Sequence, residues 1–101
     1  MNNRGDRQHV DLKQYRRNLK SPKRFRFETY QAPRGYHYRR YHYGQRLPGL
    51  YFARDFWLLD FLRFGLFAPP PGYVWVRYGP DALLIDQDTG EIVQVRYNVF
   101  Y

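Results

Sequence analysis

Cysteine is absent from the 101 residues. Disulfide scaffolds, thiolate zinc sites and thiol nucleophiles are therefore excluded together, and the redox compartment is left open. Long apolar runs are also missing: no stretch approaches the roughly 20 residues that a membrane helix needs. The opening Met1-Asn2-Asn3-Arg4-Gly5-Asp6 has none of the apolar centre of a secretory signal. Histidine is scarce, with only His9, His37 and His42, all in the first half of the chain. Asp55, Asp60, Asp81, Asp86, Asp88 and Glu91 fall mostly at expected caps and turns, where carboxylates accept backbone N–H bonds. With no base, partner and oxyanion donor brought together by any motif, an enzyme is not expected.

What is abundant is positive charge and aromatic surface. The net charge of +8 is unevenly placed, because residues 1–46 hold thirteen Lys/Arg against three acids while 47–101 hold four against six. Aromatics make up 21% of the chain. Each buried ring removes about 150–250 Å² from water, which makes a core feasible in so short a chain. The length argues for one domain.

The chain reads as a basic, largely disordered extension over residues 1–35 followed by a small β-domain over 36–101. Val10–Leu19 has the spacing for about two helical turns, ended by Ser21-Pro22, but an isolated helix this short is marginal in water. Tyr36-His37-Tyr38-Arg39-Arg40-Tyr41-His42-Tyr43 alternates without an apolar face and suits an edge strand or an extended arm. Leu47-Pro48-Gly49 marks a turn. Tyr51–Phe67 is nearly all apolar, with a short strand expected near Phe56–Leu58 and a short helix from about Asp60, stopped by Gly65 in a left-handed cap. Pro69-Pro70-Pro71-Gly72 then delivers the chain into Tyr73–Tyr78. A meander follows through Gly79-Pro80-Asp81, Ala82–Asp86, Gln87–Gly90 and Ile92–Phe100. In the last strand Val93, Val95, Tyr97 and Val99 are expected on a buried face, with Gln94, Arg96 and Asn98 on a wetter one. The fold class is thus α+β, mainly β: a small antiparallel meander sheet with one short helix. Trp57, Phe61, Phe64, Leu66, Trp75, Leu84 and Val95 are the expected core.

Two binding chemistries are open to the basic half. His37 and His42 are imidazoles near one another among tyrosines and suit nickel, cobalt or copper. Five residues apart they fall on opposite faces of a strand, so they form at most a weak, open site completed by solvent or backbone. Arg34, Arg39, Arg40 and Arg46, interleaved with Tyr and His, offer phosphate neutralisation and base stacking to a polyanion or single-stranded nucleic acid. Anionic lipid head groups are an equal electrostatic match.

Five segments carry a resemblance: Leu47-Pro48, Asp60-Phe61-Leu62-Arg63-Phe64-Gly65-Leu66, Pro70-Pro71-Gly72-Tyr73-Val74-Trp75-Val76-Arg77, Leu83-Leu84-Ile85-Asp86 and Thr89-Gly90-Glu91-Ile92-Val93. In this order the chain resembles the RcnB family of nickel/cobalt-homeostasis proteins. The resemblance implies a periplasmic accessory protein without catalytic activity, working beside a metal-efflux system or another periplasmic protein, and exported by a signal peptide that this sequence does not carry. It implies no ligand set. The alternatives are a polyanion- or nucleic-acid-binding module using the basic arm, and a structural or protein-interaction domain.

Overall fold

The computed structural model describes residues 11–101. Four strands, β1 (Arg17–Lys20), β2 (Tyr73–Tyr78), β3 (Asp81–Asp86) and β4 (Ile92–Tyr97), form one sheet in the order β1-β4-β3-β2. β2, β3 and β4 are the antiparallel meander expected from their β-branched and aromatic content. The first hairpin turns through Gly79, whose φ of +56° is costly for any residue with a Cβ. In the second, the Asp86 carboxylate accepts from the Asp88 and Thr89 amides, a local cap on the turn.

The sheet is mixed, which corrects the purely antiparallel expectation. β1 runs parallel to β4, with Arg17 opposite Gln94 and Lys20 opposite Tyr97. Beyond it the Ser21 amide donates to Tyr97 O, the Phe25 amide to Val99 O, and the Tyr101 amide to Phe25 O. Disorder over the whole of 1–35 is corrected for this stretch, while residues 1–10 lie outside the described residues. Arg-Asn-Leu-Lys has a single apolar side chain and no strand propensity of its own. The pairing comes from β4, whose outer edge offers main-chain donors and acceptors that need partners. The helical turns expected over Val10–Leu19 reduce to a 3₁₀ turn at Leu12–Gln14, capped by the Asp11 carboxylate on the Lys13 amide, before β1 begins.

The expected helix near Asp60 is also only a 3₁₀ turn, Phe61–Phe64, and Gly65 closes it at φ +72°. Its four residues are too few to nucleate an α-helix. Further 3₁₀ turns occupy Gly49–Phe52 and Arg54–Phe56. The expected strand at Phe56–Leu58 is a single bridge, Trp57 to Val76.

Both sheet faces are covered, so the wetter face expected for β4 is corrected too. One face carries Val74, Val76, Tyr78, Leu83, Ile85, Ile92, Val95 and Tyr97 beneath Tyr36, Tyr41, Leu47, Tyr51 and Phe52. The other carries Trp75, Ala82, Leu84, Val93, Val99 and Phe100 beneath Leu12, Tyr15, Phe25, Phe61, Phe64 and Leu66. The simple alternation in β4 fails because the register with β3 shifts between Leu84 and Ile85 and turns Val93 to the second face. Asn98, at φ +57°, breaks the period again. Gln94 is buried and donates to Tyr15 O, and Arg96 donates to the Gln94 side chain. Phe64, Leu66, Trp75, Leu84 and Val95 are buried, whereas Trp57 and Phe61 sit half-buried at the rims.

Candidate functional site

Residues 36–47 cross the first face as an extended arm held mainly by side chains. Tyr78 is its anchor, with the rings of Tyr36, Tyr38, Tyr41 and Tyr51 at 5.2–5.8 Å centroid distance around it. The Tyr78 hydroxyl donates to His37 O and accepts from the Arg39 amide, so one phenol fastens two arm residues. Burial pushes its pKa up to about 12. Tyr97 donates to Tyr41 O at the far end of the arm. Past it the chain meets the second hairpin, where Gly44 N donates to Ile92 O, Ile92 N to Gln45 O and Leu47 N to Gly90 O.

Asp81 is the clasp that sequence reading placed only in a turn. It is 1% exposed, accepts from the Tyr38 hydroxyl at 2.5 Å and from the Asn98 amide at 3.0 Å, and so fastens the arm to the end of β4. Burial raises its pKa; the two hydrogen bonds, and behind them Arg40 and Arg24, act in the opposite direction. Nothing in the local sequence signals this, since Tyr38 lies 43 positions away.

His37 and His42 both project from this arm and are exposed. His42 Nδ1 lies 3.4 Å from both Asn18 Nδ2 and Tyr97 Oη; the Asn18 amide can donate to it, while the Tyr97 proton goes to Tyr41 O. His42 Nε2 makes no hydrogen bond among the described residues. Among the described residues no three His, Cys, Asp or Glu side chains converge on a point that could hold a metal ion. Arg34, Arg39, Arg40 and Arg46 are likewise exposed. Arg40 lies 3.7 Å over the Tyr97 ring and Arg39 5.2 Å from that of Tyr41, so two of the four are stacked on aromatic faces of the arm and sheet. The described residues include no helix long and apolar enough to cross a membrane.

The family of nickel/cobalt transporter regulators, RcnB, matches residues 44–94, just over half of the chain. The chain belongs to the RcnB family. The match takes in the turns of 49–67, β2, β3 and the start of β4, which is the framework, and Arg46 falls inside it. β1, His37, His42, Arg34, Arg39 and Arg40 lie on the amino-terminal side of the RcnB region. A solved structure matches with a TM-score of 0.55 at 27% identity, over 60% of this chain and 75% of that one. No curated protein matches.

Proposed function

We propose that this RcnB-family protein is a periplasmic accessory in nickel and cobalt homeostasis that acts by binding and not by catalysis. The observation that carries the reading is the family match over 44–94, on a region whose matched residues build the sheet. His37 and His42 are the proposed metal-facing residues, both exposed on the arm, and Nε2 of His42 is free of hydrogen bonds among the described residues. Arginines on either side repel a divalent cation, and two imidazoles without a carboxylate make an open site, so binding is weak and follows the order copper above nickel above cobalt. Solvent or backbone completes the coordination, and the partner is an efflux system or another periplasmic protein.

The test is a paramagnetic titration with nickel followed by NMR, with His37→Ala/His42→Ala as control. Broadening centred on the arm and lost in the double variant is expected. Broadening at Asp88 and Glu91 that persists in the double variant overturns the assignment. An imidazole coordinates a metal only in its neutral form, so binding weakens as the solution is acidified.

A second reading is favoured by the stacking of Arg39 and Arg40: a polyanion-binding face made of Arg34, Arg39, Arg40 and Arg46. Its signature is steep loss of affinity with salt and indifference to base sequence, and heparin and single-stranded DNA should compete for it.

A further inference from the structure

Arg77 lies in β2 on the second face of the sheet, opposite Ala82, whose small side chain leaves room for a guanidinium. It retains only 7% exposure. Its Nε donates to Gly79 O and its Nη1 to Glu28 O, and the group stacks 4.5 Å from the Phe100 ring centre. These contacts account for two of its three nitrogens. Among the described residues Nη2 makes no hydrogen bond and no carboxylate is within ion-pairing distance, although the Glu28 charge acts on the group from further off. Burial depresses its pKa, but an arginine stays charged. Main-chain acceptors and the Glu28 charge offset only part of the cost of burying this cation, and a ligand carboxylate presents the two oxygens its fork is shaped to meet.

The segment Phe27–Tyr30 passes over this guanidinium and leaves an opening on each side. One is a cleft of about 410 Å³ walled by Phe27, Tyr30, Phe56 and Trp57; the other, of about 450 Å³, reaches Pro80 and Tyr101. Arg77 and Tyr30 line both. The Tyr30 hydroxyl is buried without a hydrogen-bond partner of normal geometry, with the Gly79 main chain nearby, and burial pushes its pKa up to about 12. An unsatisfied buried hydroxyl beside a largely buried guanidinium with a free nitrogen, between aromatic walls, is the arrangement of a small-ligand site.

We infer that the Phe27–Trp57 cleft binds a small carboxylate with a flat apolar body, its carboxylate meeting Arg77 Nη2 and Tyr30 Oη and its body lying between Phe27 and Trp57. Glu28 and Asp55 line the same opening and are exposed, so they disfavour phosphate and other multiply charged anions. They leave a single carboxylate acceptable because Arg77 meets it in the interior, where charge interactions are less screened.

The test uses the full chain and proton–nitrogen NMR, following the Arg77 side-chain Nε–H, the Trp57 indole and the Thr29 and Tyr30 amides. 3-Phenylpropionate should shift them saturably, with a dissociation constant at or below about 1 mM. Phenethylamine, which keeps the body and replaces the acid by an amine, should not, and neither should inorganic phosphate. Tyr30→Phe keeps the wall, removes the hydroxyl and should weaken binding about tenfold. Arg77→Lys keeps a charge without the fork and should abolish saturation; Tyr30→Phe decides the matter if that variant fails to fold. No saturable shift with 3-phenylpropionate, equal shifts with phenethylamine or phosphate, or unchanged affinity in Tyr30→Phe overturns the assignment.

Discussion

The meander and the arm are ordered by different physics. In β2–β4 nearly every residue is buried and main-chain hydrogen bonds run from strand to strand, so local pattern and tertiary packing agree. The arm of residues 36–47 has few main-chain partners before Gly44 and is fixed by phenol hydroxyls, a carboxylate and ring stacking. Apolar burial is insensitive to pH and salt, whereas the arm's fastening passes through Asp81 and a set of arginines. The region that carries the candidate ligands is therefore the region whose docking depends on solution conditions.

The largest expected effect lies in the meander. Trp75 is fully buried, donates from its indole to Phe67 O at 2.8 Å and stacks edge-on to the Phe67 ring at 5.3 Å. Trp75→Ala should cost about 3–5 kcal/mol, enough to unfold a domain of this size. Arg96→Ala removes a half-buried side chain whose ring contacts are at 5.6 and 5.8 Å, and it should cost far less. Thermal melts of the two variants measure the difference, and equal small shifts would mean that the core lies elsewhere.

The next effect tests the seam between the regions. A Cβ on Gly90 would stand 2.5 Å from Leu47 O and 2.7 Å from a Phe52 ring carbon, at a φ of +81°. Main chain cannot give way cheaply there, so Gly90→Ala should separate residues 44–52 from the second hairpin and cost several times as much as Gly65→Ala. Gly65 has a similar φ of +72° with nothing near its Cβ position, and its substitution should cost about 1 kcal/mol. Denaturant midpoints compare the two.

A pH experiment on Asp81 addresses the arm. Burial raises its folded pKa above the unfolded value, so between those two values the folded state holds more of the proton. Stability from this group is thus greatest at low pH and falls as pH rises from the ordinary carboxylate value through the raised one. Asp81→Asn keeps an acceptor for the Asn98 amide, should change stability at neutral pH by less than about 1 kcal/mol, and should remove this falling limb. Asp81→Ala leaves the Tyr38 hydroxyl and the Asn98 amide without their acceptor and should cost about 1–3 kcal/mol, with faster amide exchange over residues 36–43. A pH profile identical in the native and Asp81→Asn proteins would sink the argument.

The difference between the regions also decides what the sequence made legible. The strands Tyr73–Tyr78 and Asp81–Asp86, the turn glycines and the left-handed cap at Gly65 follow from patterns a few residues long. The register shift at Leu84/Ile85 and the flip at Asn98 depend on how two strands settle against each other, and they redistributed Val93 and Val99 to the opposite core. β1 was not legible because β4, not its own four residues, supplies its partners. At the candidate site, the alternation of Tyr, His and Arg pointed to an extended arm, but the clasp from Tyr38 to Asp81 spans 43 positions and leaves no local mark. The pairing of Arg77 with the Phe27–Tyr30 segment is equally non-local.

The smallest effect separates the arm as a strap from the arm as a binding surface. Arg40 stacks 3.7 Å over the Tyr97 ring, a contact worth about 0.5–1 kcal/mol at an exposed site, and makes no ion pair among the described residues. Arg40→Gln removes the charge but keeps a planar head group, so melting should move by no more than a few degrees. If the arm's arginines bind polyanions, the slope of log affinity for heparin or single-stranded DNA against log salt should become shallower by about one unit. The stability change reports on the strap and the slope on the surface, and the same variant yields both. An unchanged slope with the small loss of stability would confine Arg40 to holding the arm down, and would leave His37 and His42, presented by that arm, as its candidate ligands.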